Sequence, residues 1–184
     1  MKSIEEQLSS YAAYHRDARN IVTHFIGIPM IVLAVAVLLS APQLALNGLT
    51  LTPAHVVTLL AVAYYLRLEW RMGALMAVWM LLNLWLALWI ASQGTLAWLG
   101  GGVALFVVGW VFQFVGHFYE GRKPAFVDDI MGLIIGPLFV AAEALFLFGL
   151  RSDLQTHIEQ QAGPVRRAGV NFGASIDSDD TKVT

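Results

Sequence analysis

The chain contains no cysteine, which excludes disulfides, thiolate metal sites, iron–sulfur clusters and cysteine nucleophiles. Any metal must be held by nitrogen and oxygen ligands, and redox chemistry needs a cofactor. Charge is scarce as well. The 11 basic and 13 acidic residues make up 13% of 184, where a soluble domain carries about 25%. A net charge of −2 offers no electrostatic footprint for a nucleic-acid partner. No Gly-rich phosphate loop precedes a helix, and neither G-x-S-x-G nor H-E-x-x-H occurs. The dense histidine boxes of membrane desaturases and hydroxylases are missing too. Residues 1–20 lack the basic start, short apolar run and small-residue cleavage site of a signal peptide, so the first apolar segment is expected to stay as a membrane span.

Apolar residues fill the space that charge leaves, at 58% of the chain. A water-soluble fold of this size cannot hide that much apolar surface in one core. Five apolar stretches run from about 21–39, 54–66, 72–91, 95–118 and 127–150. The expected fold is an all-α polytopic transmembrane bundle of four to five membrane segments. The second stretch is short for a bilayer, which needs about 20 residues, unless residues 49–52 extend it. In the fifth, Gly136-Pro137 predicts a kink or split, because proline removes a donor and clashes with the preceding turn. The domain reading is an amphipathic cytoplasmic arm at 1–20, the membrane domain at 21–150 and a polar, flexible tail at 151–184.

Positive charge in the connections gives orientation. Lys2, Arg16 and Arg19 precede the first span, Arg67 and Arg71 follow the second, and Arg122 and Lys123 follow the fourth. The intervening connections carry neither Lys nor Arg. This alternation predicts four spans with the N-terminus in the cytoplasm. A full fifth span would put Arg151, Arg166, Arg167 and Lys182 outside, which favours a re-entrant or interfacial fifth segment. The expected location is a bacterial cytoplasmic membrane, or the endoplasmic reticulum in a eukaryote.

That topology brings His15, His24 and His117 to one membrane level. Glu120 follows His117 by three residues and Gln113 precedes it by four, so the three share a helical face. Asn20 and His24 are likewise four apart. Nine residues of straight helix would separate His15 from His24 by roughly 180° and about 13 Å, so a shared site requires a break between them, expected near Arg19-Asn20, or more than one metal. Neutral imidazoles with a carboxylate suit Fe(II) with open positions for O₂ and substrate. Asn20, Gln113, Glu120 and Arg122 are the polar candidates for catalysis or ligand orientation. Arg122 and Lys123 are candidates to clamp a fatty-acid carboxylate, although the reading as topology markers is the stronger one. Glu143, deep in the fifth stretch, is either functional or paired with a polar group such as Asn83. His55 begins the second span on the opposite face and His157 lies in the tail, so both are excluded from the site.

At these residues the sequence resembles a known family. His15-Arg16-Asp17-Ala18-Arg19-Asn20 with His24-Phe25-Ile26-Gly27-Ile28-Pro29 is similar to its N-terminal signature. Gln113-Phe114-Val115-Gly116-His117-Phe118-Tyr119-Glu120-Gly121-Arg122-Lys123-Pro124-Ala125 is similar to its second. The family is the membrane 2-hydroxy fatty acid dioxygenases, whose yeast member acts in phytosphingosine breakdown through fatty-acid α-oxidation. The resemblance covers about residues 8–150. It implies an Fe(II)-dependent reaction of a 2-hydroxy fatty acid with O₂, giving CO₂ and a fatty acid one carbon shorter. It also implies His15, His24 and His117 as iron ligands, and membrane lipids as surroundings. Two other readings use the same polar cluster: a non-catalytic lipid-binding or transport protein, and a metal-dependent membrane hydrolase working without O₂.

Overall fold

The computed structural model describes residues 2–41, 43–46 and 49–166. Seven α-helices carry the fold: α1 Ile4–Ala12, α2 Ala18–Leu38, α3 Pro53–Leu68, α4 Trp70–Ser92, α5 Gly102–Glu120, α6 Gly132–Leu147 and α7 Ser152–Ala162. A π-helical turn, Leu96–Gly101, leads directly into α5. The expected all-α membrane bundle is what forms. Three helices are long and apolar enough to cross a bilayer: α2, α4 and the continuous stretch Leu96–Glu120. Their large exposed side chains, among them Val22, Trp85, Val111 and Phe118, are apolar, whereas the interior holds buried His, Asn, Gln and Glu. That inversion is what lipid, rather than water, requires of a surface.

The first break in the chain decides the site. Ser3 and Glu6 close a reciprocal cap at the start of α1, and α1 ends at Ala12. Asp17 then caps α2, its carboxylate accepting from the Arg19 amide at 2.9 Å and pairing with the Arg19 guanidinium. Residues 13–17 are therefore a turn between two capped helices. The break lies just before Arg19-Asn20 and leaves His15 outside both helices, free of the separation that a straight helix imposes.

Helix α3 has 16 residues, a rise of about 24 Å against an apolar core of about 30 Å. Residues 49–52 do not lengthen it. Leu49–Leu51 instead pairs antiparallel with Leu44–Leu46, in the register Leu44 to Leu51 and Leu46 to Leu49. The reason is local: Pro53 occupies the first helical position and holds Thr52 extended. His55 bonds Thr52 there and stays at the far face, as expected.

Helices α2 and α5 run antiparallel in close contact along glycines. A Cβ at Gly27 would lie 2.8 Å from the Gly109 carbonyl, and one at Gly109 would lie 2.7 Å from Ile31. Small residues at such positions let two membrane helices approach backbone to backbone. On the far face Trp98 donates to the Leu38 carbonyl at 3.2 Å. On the near face Glu120, ending α5, accepts from the amides of Arg16 and Asp17.

The fifth apolar stretch starts and ends at that near face. It leaves from Glu120 and finishes where Arg151 pairs with Glu69, between α3 and α4, at 3.1 Å. Between these points it dips into the bundle. Phe126 packs edge-on against Trp110 with ring centres 5.0 Å apart, and the Ile134 carbonyl accepts from the Tyr65 hydroxyl at 2.7 Å. The segment therefore has both ends at one face of the bundle. It is not split at Gly136-Pro137, since α6 runs unbroken from Gly132 and Pro137 costs it a single backbone bond. The sharp bend, 117°, comes later, between α6 and α7.

Of the expected flexible tail, residues 152–166 need correction. Helix α7 packs on α1 and buries Leu154 and Ile158 in the same core as Leu8, Met72, Met76, Ile135, Leu138 and Phe139. Two apolar residues four apart give α7 an apolar stripe that overall polarity concealed. The remaining residues of that tail, 167–184, lie outside the described residues.

Candidate metal centre

His15, His24 and His117 each offer one ring nitrogen, and these atoms lie within 4.8 Å of one another. Three different pieces of chain supply them: the 13–17 turn, the first turns of α2 and the last turns of α5. All three side chains are buried. The ring centres are 4.6 Å apart for His15 and His24, 4.9 Å for His15 and His117, and 5.1 Å for His24 and His117.

The hydrogen bonds around the rings determine what they can hold. His15 Nδ1 lies 2.7 Å from the Tyr11 carbonyl, and His24 Nδ1 lies 2.9 Å from the Asn20 carbonyl. A carbonyl only accepts, so each Nδ1 carries the proton and each Nε2 presents a lone pair. Those two Nε2 atoms face each other at 3.1 Å. Two lone pairs at that distance repel unless a cation or proton joins them. Burial, and secondarily the neighbouring His24, pushes the His15 pKa well below the ordinary histidine value, which disfavours the proton. The buried Nδ1 of His117 has no hydrogen-bond partner. The donor set therefore fits a divalent metal taken up by neutral imidazoles, with backbone carbonyls orienting two of them.

Around this set the polar candidates divide. Asn20 is fully buried, and its amide donates to Glu120 at 3.1 Å and to the Tyr14 carbonyl at 3.3 Å. Glu120 faces the turn rather than the imidazoles. Its Oε2 accepts from the amides of Arg16 at 2.9 Å and Asp17 at 2.7 Å, and its Oε1 from Arg166. A carboxylate with four donors is a clamp for the segment that bears His15. Gln113 lines a small cavity of about 60 Å³ with Tyr11, His117 and Trp110, and its Nε2 has no partner.

Arg122 and Lys123 are not brought to the histidines. Arg122 is exposed and donates to the Ala13 carbonyl at 3.0 Å, while Lys123 pairs with Asp128. Neither lines the cavity beside His117. The glycine in left-handed conformation at 121 ends α5 and turns both side chains out to the surface. Glu143 is paired with Arg16, at 3.4 Å, and not with Asn83.

Two residues that matter here carried weak signals. Tyr11 stacks on His15, with ring centres 4.1 Å apart and planes 8° from parallel. It also lines the cavity, and its spacing of four from His15 was the available hint. Arg16 is buried, bonds the carbonyls of Ala12, His15 and Gly163, and reaches Glu143. Counted as a topology charge, it gave no sign that it ties the turn to α6 and α7.

Beyond the small cavity lies a larger one of about 420 Å³, sharing Ile31, Val32, Trp110, Leu133 and Pro137 with it. Val35, Ala36, Leu39 and Ala61 continue its lining away from the histidines, so it is overwhelmingly apolar. Its volume falls within the roughly 300–1,000 Å³ typical of small-molecule sites.

A buried trio of imidazoles at one face of a membrane bundle, beside an apolar cavity, defines a membrane protein with a nitrogen-donor set able to hold a metal ion. Comparison with known proteins specifies it further. Residues 1–147 match the family described as 2-hydroxy-palmitic acid dioxygenase Mpo1-like, and the chain belongs to that family. It is 30% identical over 158 residues to the 2-hydroxy-palmitic acid dioxygenase MPO1 of Saccharomyces cerevisiae, covering 85% of this chain and 87% of the yeast protein. No solved structure matches.

Proposed function

We propose that the chain is an Fe(II)-dependent dioxygenase that converts a 2-hydroxy fatty acid and O₂ to CO₂, water and a fatty acid one carbon shorter. The observation that carries this reading is the pair of facing Nε2 lone pairs on His15 and His24, 3.1 Å apart, with His117 completing the set. Iron(II) held there by His15, His24 and His117 would supply O₂ activation next to the substrate's C1–C2 bond. Family membership supports the substrate class, since the yeast relative is named for 2-hydroxypalmitic acid.

The chain's own residues bind and orient. The Gln113 amide, lacking a partner, donates to the substrate carboxylate, as does the Tyr11 hydroxyl across the same cavity. The acyl chain runs into the apolar cavity between α2, α3 and α6, where burial keeps water from the reacting carbon. Glu120 and Asn20 hold the turn that carries His15. The excess of Lys and Arg in the near-face connections supports a centre at the cytoplasmic side of the membrane.

Metal-stripped protein reloaded with Fe(II) and given 2-hydroxypalmitic acid should form the fifteen-carbon acid (about one carbon lost per turnover, by mass) only in the presence of O₂. Equal product without iron, or without oxygen, overturns the reading; anaerobic turnover would select the hydrolase instead. Gln113→Met should raise KM about tenfold, the value of one charged hydrogen bond, while leaving Tm unchanged or higher. The sign of the second effect follows because the exchange removes a buried polar group that lacks a partner. Ala36→Phe, filling the deep end of the apolar cavity, should shift preference toward shorter acyl chains, read as the ratio of rates across a chain-length series.

A further inference from the structure

The segment that follows α7 lies across the turn bearing His15. The Arg166 amide donates to the Arg16 carbonyl at 2.7 Å, and the Ala18 amide donates to the Arg166 carbonyl at 3.0 Å. Residues 17 and 166 thus pair side by side as a short parallel bridge. Arg16 returns a bond from its guanidinium to the Gly163 carbonyl at 3.0 Å. The Arg166 guanidinium forms an ion pair with Glu120, whose carboxylate is 1% exposed. Among the described residues it is the cation within salt-bridge distance of that carboxylate. The family match ends at residue 147, so this segment lies outside it.

These bonds form a chain of physical contacts that reaches the metal centre. Arg166 neutralises Glu120; Glu120 holds the amides of Arg16 and Asp17 and the side chain of Asn20; Asn20 presents its carbonyl to His24, and the 16–17 backbone fixes the adjacent His15. A buried carboxylate left with neutral donors alone is costly, and the segment it holds loosens. We infer that Arg166 is a positioning residue for the metal centre, its guanidinium on Glu120 and its backbone on residues 16–18 clamping the turn that presents His15. This inference rests on the reading of the three histidines as a metal site.

Two measurements on full-length protein in detergent test it. In Arg166→Ala, hydrogen exchange at the amides of Arg16 and Asp17 should accelerate, while amides in the middle of α4 should not change. Affinity for Co(II), followed by its visible absorption, should fall about tenfold, the lower end of what losing an outer partner costs a metal site. Arg166→Lys should recover part of the affinity by restoring the charge. In an Glu120→Gln background, Arg166→Ala should have little further effect, because the guanidinium acts through that carboxylate. Unchanged amide exchange in Arg166→Ala, unchanged Co(II) affinity, or an equally large loss in the Glu120→Gln background would each overturn the inference. Failure of the unmodified protein to bind Co(II) or Fe(II) would instead remove the metal reading beneath it.

Discussion

His117→Ala is expected to abolish both metal binding and O₂-dependent chain shortening. His15 and His24 come from neighbouring positions at the start of the chain, whereas His117 is the imidazole that α5 brings to the trio. Without it two imidazoles remain, too few to hold a labile divalent ion against solvent. The loss of affinity should exceed about 100-fold, because removing even an outer partner of a metal ligand costs about 10–100-fold. Iron content per chain and product mass are the readouts. His117→Gln keeps much of the side-chain volume and should show the same defect in a folded protein, which separates lost ligation from lost packing. A His117→Gln protein that retained stoichiometric iron and full turnover would rule out the three-histidine centre.

Gly116→Ala should be nearly as damaging, although glycine has no side chain to bind a metal. A Cβ there would clash with the Thr23 hydroxyl and would lie 2.5 Å from Asn20 Oδ1 and 3.1 Å from His24 Nδ1. Thr23 and Asn20 cannot simply rotate away, because the Thr23 hydroxyl donates to the Asn20 carbonyl and Asn20 is tied to Glu120. Helices α2 and α5 must separate at the level of the centre. Overpacking of this kind costs about 1–3 kcal/mol of stability. The effect on turnover should be larger, about 100-fold, since a displacement near 1 Å is enough to misalign reacting groups. Gly101→Ala is the control, because a Cβ there meets nothing within 4 Å. Equal activity in the Gly116→Ala and Gly101→Ala proteins would show that close packing of α2 on α5 does not set the geometry.

Much of this site was legible before any coordinates. His117 stands at helical spacing from residues 113 and 120, as His24 does from residue 20, and the alternation of basic connections puts the ends of α2 and α5 at one face. The conflict between His15 and His24 was also visible, because helical geometry forbids both from one straight rod. What resolved it is the turn at 13–17, where α1 stops at Ala12 and Asp17 caps the start of α2. Arg122 and Lys123 are placed by a similarly local feature. Their charge suited a carboxylate, but the left-handed turn at Gly121 directs them outward to Ala13 and Asp128. The polar tail hid α7, whose two buried apolar residues matter only because α1 offers them a surface.

The sequence by itself determined that this is a helical membrane protein with an imidazole-rich face. Composition and hydrophobic periodicity are local quantities, and lipid tolerates few backbone arrangements. Only the tertiary structure decided that Glu120 serves the turn rather than the imidazoles, and that the segment after α7 reaches back to it. Those outcomes depend on contacts between residues about a hundred positions apart, such as Glu120 with Arg16 and Asp17. No spacing along the chain encodes such contacts; the packing of glycine against glycine between α2 and α5 brings them within bonding distance.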